Sequence, residues 1–91
     1  MAAAYTIDVR PRARRSLRQF DPPIRKAVAQ VIDALATDPR PAGCLPLTGH
    51  RPYLRVRSGD YRVIYAVDDR ARVVIVAAVG HRREIYRSFD L

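Results

Sequence analysis

The chain has 91 residues and a formal net charge of +8, from 17 basic and 9 acidic side chains. A chain this short is expected to form one domain over 1–91, with a core so small that each buried apolar residue matters. Its single cysteine, Cys44, excludes an intrachain disulfide and a CxxC-type zinc or redox site. No apolar run is long enough for a signal peptide or a bilayer span, so a cytoplasmic protein without membrane contact is expected.

In chain order, Tyr5, Ile7 and Val9 alternate with Thr6, Asp8 and Arg10, the period of a half-buried strand that Pro11 stops. From Arg12 to Phe20, Ala13, Leu17 and Phe20 recur at helical spacing, and Arg14, Arg15 and Arg18 face away. Asp21 is placed to cap a second helix with Pro22 at its first position. The apolar stripe of that helix is Ile24, Ala27, Val28, Val31, Ile32 and Leu35, and Asp38-Pro39 ends it. The stretch from Asp38 to Pro52, with four prolines and two glycines, reads as an irregular connection that carries a PLTG run.

Leu54 and Val56 then alternate with Tyr53, Arg55 and Arg57, and Tyr61, Val63, Tyr65 and Val67 alternate with Arg62, Ile64 and Ala66. A turn between them makes a hairpin. A second turn at Asp68 to Ala71 leads into Val73 to Val79, apolar on both faces as an interior strand is. The element order is βααβββ. A two-residue loop at Ser58-Gly59 would pair Arg57 with Asp60, Val56 with Tyr61, Arg55 with Arg62 and Leu54 with Val63, because antiparallel partners keep a constant index sum. Two like charges directly opposite cost stability, so Arg55 facing Arg62 suggests an anion between them. A three-residue loop would undo that register, and a solvated face with splayed side chains would also explain the arginines.

The basic residues are sixteen Arg and one Lys, Lys26. Codon bias and selection for phosphate contacts both account for this; in either case the surface attracts anions but passes protons poorly, since guanidinium stays protonated. The chain closes on GHRREIYRSF. Arg82, Arg83 and Arg87 around Tyr86 favour its phenolate over the unperturbed pKa of about 10. Such a tyrosine can act as base toward an RNA 2′-hydroxyl or stack on a nucleobase, and His81 can exchange protons near neutrality. A solvated edge sealed by Ile85 and Phe89 is the plainer alternative. No glycine-rich phosphate loop, HExxH or paired metal-ligand spacing occurs, and no motif around Ser58 supports a Ser/His/Asp triad.

The element order, the PLTG loop, YLRVRSGDYRVIYAV and the closing VGHRREIYR together resemble the RelE/ParE family of bacterial toxins, its RelE branch more than its ParE branch. The likeness spans nearly the whole chain. It implies an α+β fold in which a helical hairpin packs on an antiparallel sheet, a microbial-RNase-like arrangement. It also implies a toxin of a type II toxin–antitoxin system, held inactive by a cognate antitoxin and reaching promoter DNA only through that complex.

RelE-type enzymes cut mRNA on the ribosome, without metal or other cofactor, by attack of a 2′-hydroxyl on the adjacent phosphate. The catalytic positions implied by the resemblance are Arg55, Arg62, Arg82 and Tyr86. Tyr53, Arg57, Arg83 and Arg87 are the expected RNA contacts. The family's first lysine is replaced by Tyr53 and its second by Arg55, so charge stabilisation is kept while proton transfer loses a donor, a gap that Tyr53 or His81 is placed to fill. Only Arg87 to Leu91 follow the tyrosine, so the C-terminal helix of some relatives is expected to be short or absent. Two other functions fit the same family: inhibition of DNA gyrase in the manner of ParE, and a catalytically weak toxin acting through antitoxin binding.

Overall fold

The computed structural model describes residues 4–81, 84 and 85. Strand β1 (Thr6–Val9) runs into α1 (Pro11–Gln19), with Pro11 at the first helical position, where its missing N–H costs no hydrogen bond. Phe20 leaves the helix in extended geometry, and α2 (Pro22–Ala34) starts one residue after Asp21. Asp21 occupies the cap position as the sequence suggests, but its side chain makes no capping bond.

The connection after α2 contains a two-residue strand, β2 (Leu45–Pro46), which the sequence reading passed over as irregular. Strands β3 (Leu54–Ser58), β4 (Tyr61–Asp68) and β5 (Val73–His81) follow. The sheet order is β1-β5-β4-β3-β2. β5 is therefore interior, as its two apolar faces imply. β1 lies parallel to β5, so the sheet expected to be antiparallel is mixed. The reason is connectivity: the helical hairpin and three further strands separate β1 from β5, so β1 is free to enter in either sense.

Ala13 of α1 and Val28, Ile32 and Leu35 of α2 or its end pack on Val56, Val63, Tyr65, Val74, Val76 and Val79 of the sheet. Tyr65 is fully buried there and its hydroxyl donates 2.7 Å to the Pro39 carbonyl, fastening the connection to the sheet. Burial pushes the Tyr65 phenol well above its ordinary range. A second, smaller apolar cluster of Leu47, Ile64, Ala78 and Ile85 lies on the sheet's other face. No described helix is long and apolar enough to cross a membrane.

Candidate functional site

The β3–β4 hairpin builds the site. Its loop is Gly59-Asp60, one residue later than the sequence suggests, and Gly59 takes φ +59 at the first loop position, a region open to glycine. Ser58 therefore pairs with Tyr61, Arg57 with Arg62, Val56 with Val63, Arg55 with Ile64 and Leu54 with Tyr65. The expected Arg55–Arg62 pair is corrected to Arg57–Arg62. Because the index sum changes by two, each residue keeps its expected face, and Arg55 stands diagonal to Arg62 on the same surface.

Arg55, Arg57 and Arg62 line one small cavity of about 90 Å³, together with Gly43 and Leu45 from the connection before β3. They are not equally placed: Arg57 is exposed, Arg55 half-buried, and Arg62 only 9% accessible. The Arg62 Nη1 donates two long hydrogen bonds, 3.4 Å each, to the Gly59 and Tyr61 carbonyls. Its buried Nε has no partner. Among the described residues no carboxylate pairs with Arg57 or Arg62. Buried guanidinium normally has an ion partner, since desolvating the charge is costly without one. The Arg62 Nε is thus a buried donor without an acceptor among the described residues.

The apolar cluster of Leu47, Ile64, Ala78 and Ile85 floors the region beside this cavity, and Tyr53 packs against it. Tyr53 therefore lies on the arginine face, as its alternation with Arg55 predicts. Gly80 sits opposite Arg62 on β5. A Cβ on Gly80 would stand 3.1 Å from the Ile85 Cδ1, so the glycine makes room for Ile85 to seal the cluster. Ile85 is 2% accessible, the core role expected of it.

Among the described residues His81 does not line the cavity of Arg55, Arg57 and Arg62. His81 pairs with Tyr61, and its ring meets the Tyr61 ring edge-on at 5.6 Å, while Tyr61 meets Phe20 at 4.9 Å. These rings, with Ser16 and Gln19 of α1, line a hollow on the helical face of the sheet. The cause is strand alternation: Arg62 pairs with Gly80 on one face, so His81 falls on the other. His81 and Arg62 therefore stand on opposite faces of the sheet. Arg82, Arg83, Tyr86, Arg87 and Phe89 lie outside the described residues.

Gly43, Leu45 and Gly80 were not singled out from the sequence. The signal for Leu45 was the alternation Leu45-Pro46-Leu47, a short strand whose proline restricts it to a sheet edge. A second cationic surface, an open groove of about 540 Å³, is lined by Arg10, Arg14, Arg15 and Arg18 beside Asp8. Arg10 is paired there with Asp8 at 3.4 Å.

At the opposite end of β4, Asp69 ties three segments together. It accepts two hydrogen bonds from Arg40, at 3.2 and 2.9 Å, and one from the Tyr5 hydroxyl at 2.6 Å. These bonds, Arg40's first and then Tyr5's, hold the Asp69 carboxyl down at about 2, and the same carboxylate raises the Tyr5 phenol above its ordinary value. Arg40, Tyr5 and Asp69 thus satisfy one another, in contrast to the open arginine cavity.

Residues 7–86 match the family model described as the ParE toxin of type II toxin–antitoxin systems. The chain belongs to the RelE/ParE toxin family. Within the family it is 32% identical to toxin RelG of Mycobacterium tuberculosis over 84 residues, 91% of this chain and 97% of that protein. Among solved structures, the RelBE2 toxin–antitoxin complex of M. tuberculosis is similar at 31% identity and TM-score 0.73, covering 87% of this chain and 99% of that one. A mutant of the E. coli toxin RelE in the free state is similar at 28% identity and TM-score 0.75, covering 92% of each chain. In this RelE/ParE toxin Arg62, whose Nε is buried without a partner, stands on β4, the middle strand of the sheet.

Proposed function

We propose that this toxin is a metal-independent, ribosome-dependent endoribonuclease that is neutralised by a cognate antitoxin. The observation that carries the proposal is the convergence of Arg55, Arg57 and Arg62 on one cavity, with the Arg62 Nε buried and without a partner. A phosphodiester supplies the missing acceptor. In the reaction, the RNA 2′-oxygen bonds to phosphorus and the P–O5′ bond breaks, leaving a 2′,3′-cyclic phosphate and a 5′-hydroxyl. One proton leaves the 2′-hydroxyl and one is delivered to O5′.

Fixed positive charge around the phosphate stabilises the extra negative charge of the transition state, a term that grows when water is excluded. Arg62 and Arg55 take that role, Arg57 holds the approaching backbone, and Arg82, which follows β5 in the sequence, adds to the charge. Tyr86 serves as base or stacks on the nucleobase, and Tyr53, on the arginine face, is the remaining proton-exchanging group. Arg83 and Arg87 add backbone contacts. Purified toxin incubated with ribosomes carrying a defined mRNA is expected to give cuts, mapped by primer extension, that are lost in Arg62→Ala and strongly reduced in Tyr86→Phe. Undiminished cleavage in both variants would overturn the assignment.

Inhibition of DNA gyrase is a second reading, favoured by the ParE description of the matching family model. A supercoiling assay separates the two: gyrase inhibition that survives Arg62→Ala, with intact mRNA, selects the second. The antitoxin is the expected protein partner, since both M. tuberculosis and E. coli relatives have been solved as toxin–antitoxin complexes.

A further inference from the structure

Leu45 stands directly opposite Arg55 on the sheet edge, so the two side chains share a face, and both line the arginine cavity. Leu47, two residues on, shares that face and is buried in the cluster with Ile64. Leu45 is instead 50% accessible, the exposed large hydrophobic side chain among the described residues. Leu45 thus presents exposed apolar surface beside the three arginines.

The cavity's size limits what can enter. At about 90 Å³ the cavity is small, and the three arginines that line it select the phosphate of a nucleotide over its uncharged parts. Whatever is attached to that anion lies at the mouth, against Leu45. A bare phosphate or an acidic side chain leaves the leucine wet. A nucleotide does not, because the flat, weakly hydrated face of its base covers apolar surface there. Resting on the nuclease reading for the substrate's class, we infer that Leu45 is a substrate-positioning residue that packs against the nucleobase joined to the phosphate held by Arg62, and that it sets how strongly the site prefers a nucleotide over a free anion.

The test compares two probes, inorganic phosphate and adenosine 3′-monophosphate, titrated into the purified toxin by calorimetry. The wild type is expected to bind the nucleotide more tightly than phosphate. Leu45→Ser is expected to weaken nucleotide binding about fivefold, the loss for half a leucine's burial, with phosphate affinity unchanged. Leu45→Phe is expected to tighten the nucleotide alone. Because Leu45 is outside both apolar clusters, unchanged melting temperatures should accompany these effects. Equal loss for both probes, no nucleotide preference in the wild type, or an unaffected nucleotide affinity in Leu45→Ser would each overturn the inference. So would a variant that loses only antitoxin capture, which makes Leu45 a protein contact. Failure of ribosomal cleavage with the nucleotide-to-phosphate ratio still dependent on Leu45 would refute the nuclease reading while leaving the base contact in place.

Discussion

Arg57 and Arg62 face each other across the β3–β4 pair, and among the described residues neither is ion-paired with a carboxylate. Directly opposed like charges destabilise a hairpin by a few tenths to about 1 kcal/mol. Arg57→Gln is therefore expected to stabilise the unliganded toxin by that amount at low ionic strength. The gain should shrink as salt rises, because Arg57 is exposed and its repulsion is screened over about 10 Å at 0.1 M. Urea titrations at two salt concentrations measure both effects. An equal destabilisation at both would mean that Arg57 packs rather than repels.

Arg62 poses the same conflict more sharply because it is buried. Replacing an uncompensated buried charge with an apolar chain of similar length is neutral or stabilising, in some proteins by about 1–4 kcal/mol. Arg62→Met is expected to melt no lower than the wild type while losing phosphate binding and any cleavage. Arg62→Lys keeps a charge but not the fork of donors, and is expected to retain only part of the phosphate affinity. Melting curves with and without phosphate check this, since only a protein that binds the anion in its native state gains stability from it. A stability optimum set aside for function is a common pattern at active sites.

The Arg40–Asp69–Tyr5 cluster makes a pH prediction. The Asp69 pKa is lowered from 3.8 to about 2 in the folded chain, so its contribution is present above the unfolded value and is lost as pH falls from about 4 through 2. Tyr5 is shifted the other way. Its contribution is present below its ordinary pKa of about 10 and is lost as pH rises through its higher folded value. Asp69→Asn removes both, and is expected to destabilise the toxin at neutral pH, the gap to the wild type narrowing as pH falls through 2. Thermal melts across that range test the convergence. The groups are exposed, so the effect at pH 7 should be modest and smaller in high salt.

The elements on the helical face were legible because each repeats its apolar residues at one period: Val28 and Ile32 in α2 with Leu35 at its end, and Val63, Tyr65 and Val67 in β4. The face each arginine occupies was legible for the same reason. The register was not, since Ser58-Gly59 and Gly59-Asp60 are both acceptable two-residue loops, and only the positive φ of Gly59 at the first position decides. The parallel entry of β1 has no sequence signal at all. Leu45 and Gly43 were missed because they come from a proline-rich connection with no sustained period, and the cavity they help line exists only once that connection folds back onto β3.

Gly59 holds that register and is the last point of control over the site. Its φ of +59 is strained for any residue with a Cβ, although no atom lies within 4 Å of the position a Cβ would take. The cost of a substitution is therefore conformational rather than a clash. Gly59→Ala is expected to lose about 1–2 kcal/mol, the usual penalty for placing an L-residue in left-handed geometry, and Gly59→Val more because of its branched Cβ. The Arg62 Nη1 donates to the Gly59 carbonyl, so the same change should also loosen the guanidinium. Phosphate affinity is expected to fall in Gly59→Ala alongside stability. If stability falls while phosphate binds as in the wild type, the loop supports the hairpin without orienting Arg62.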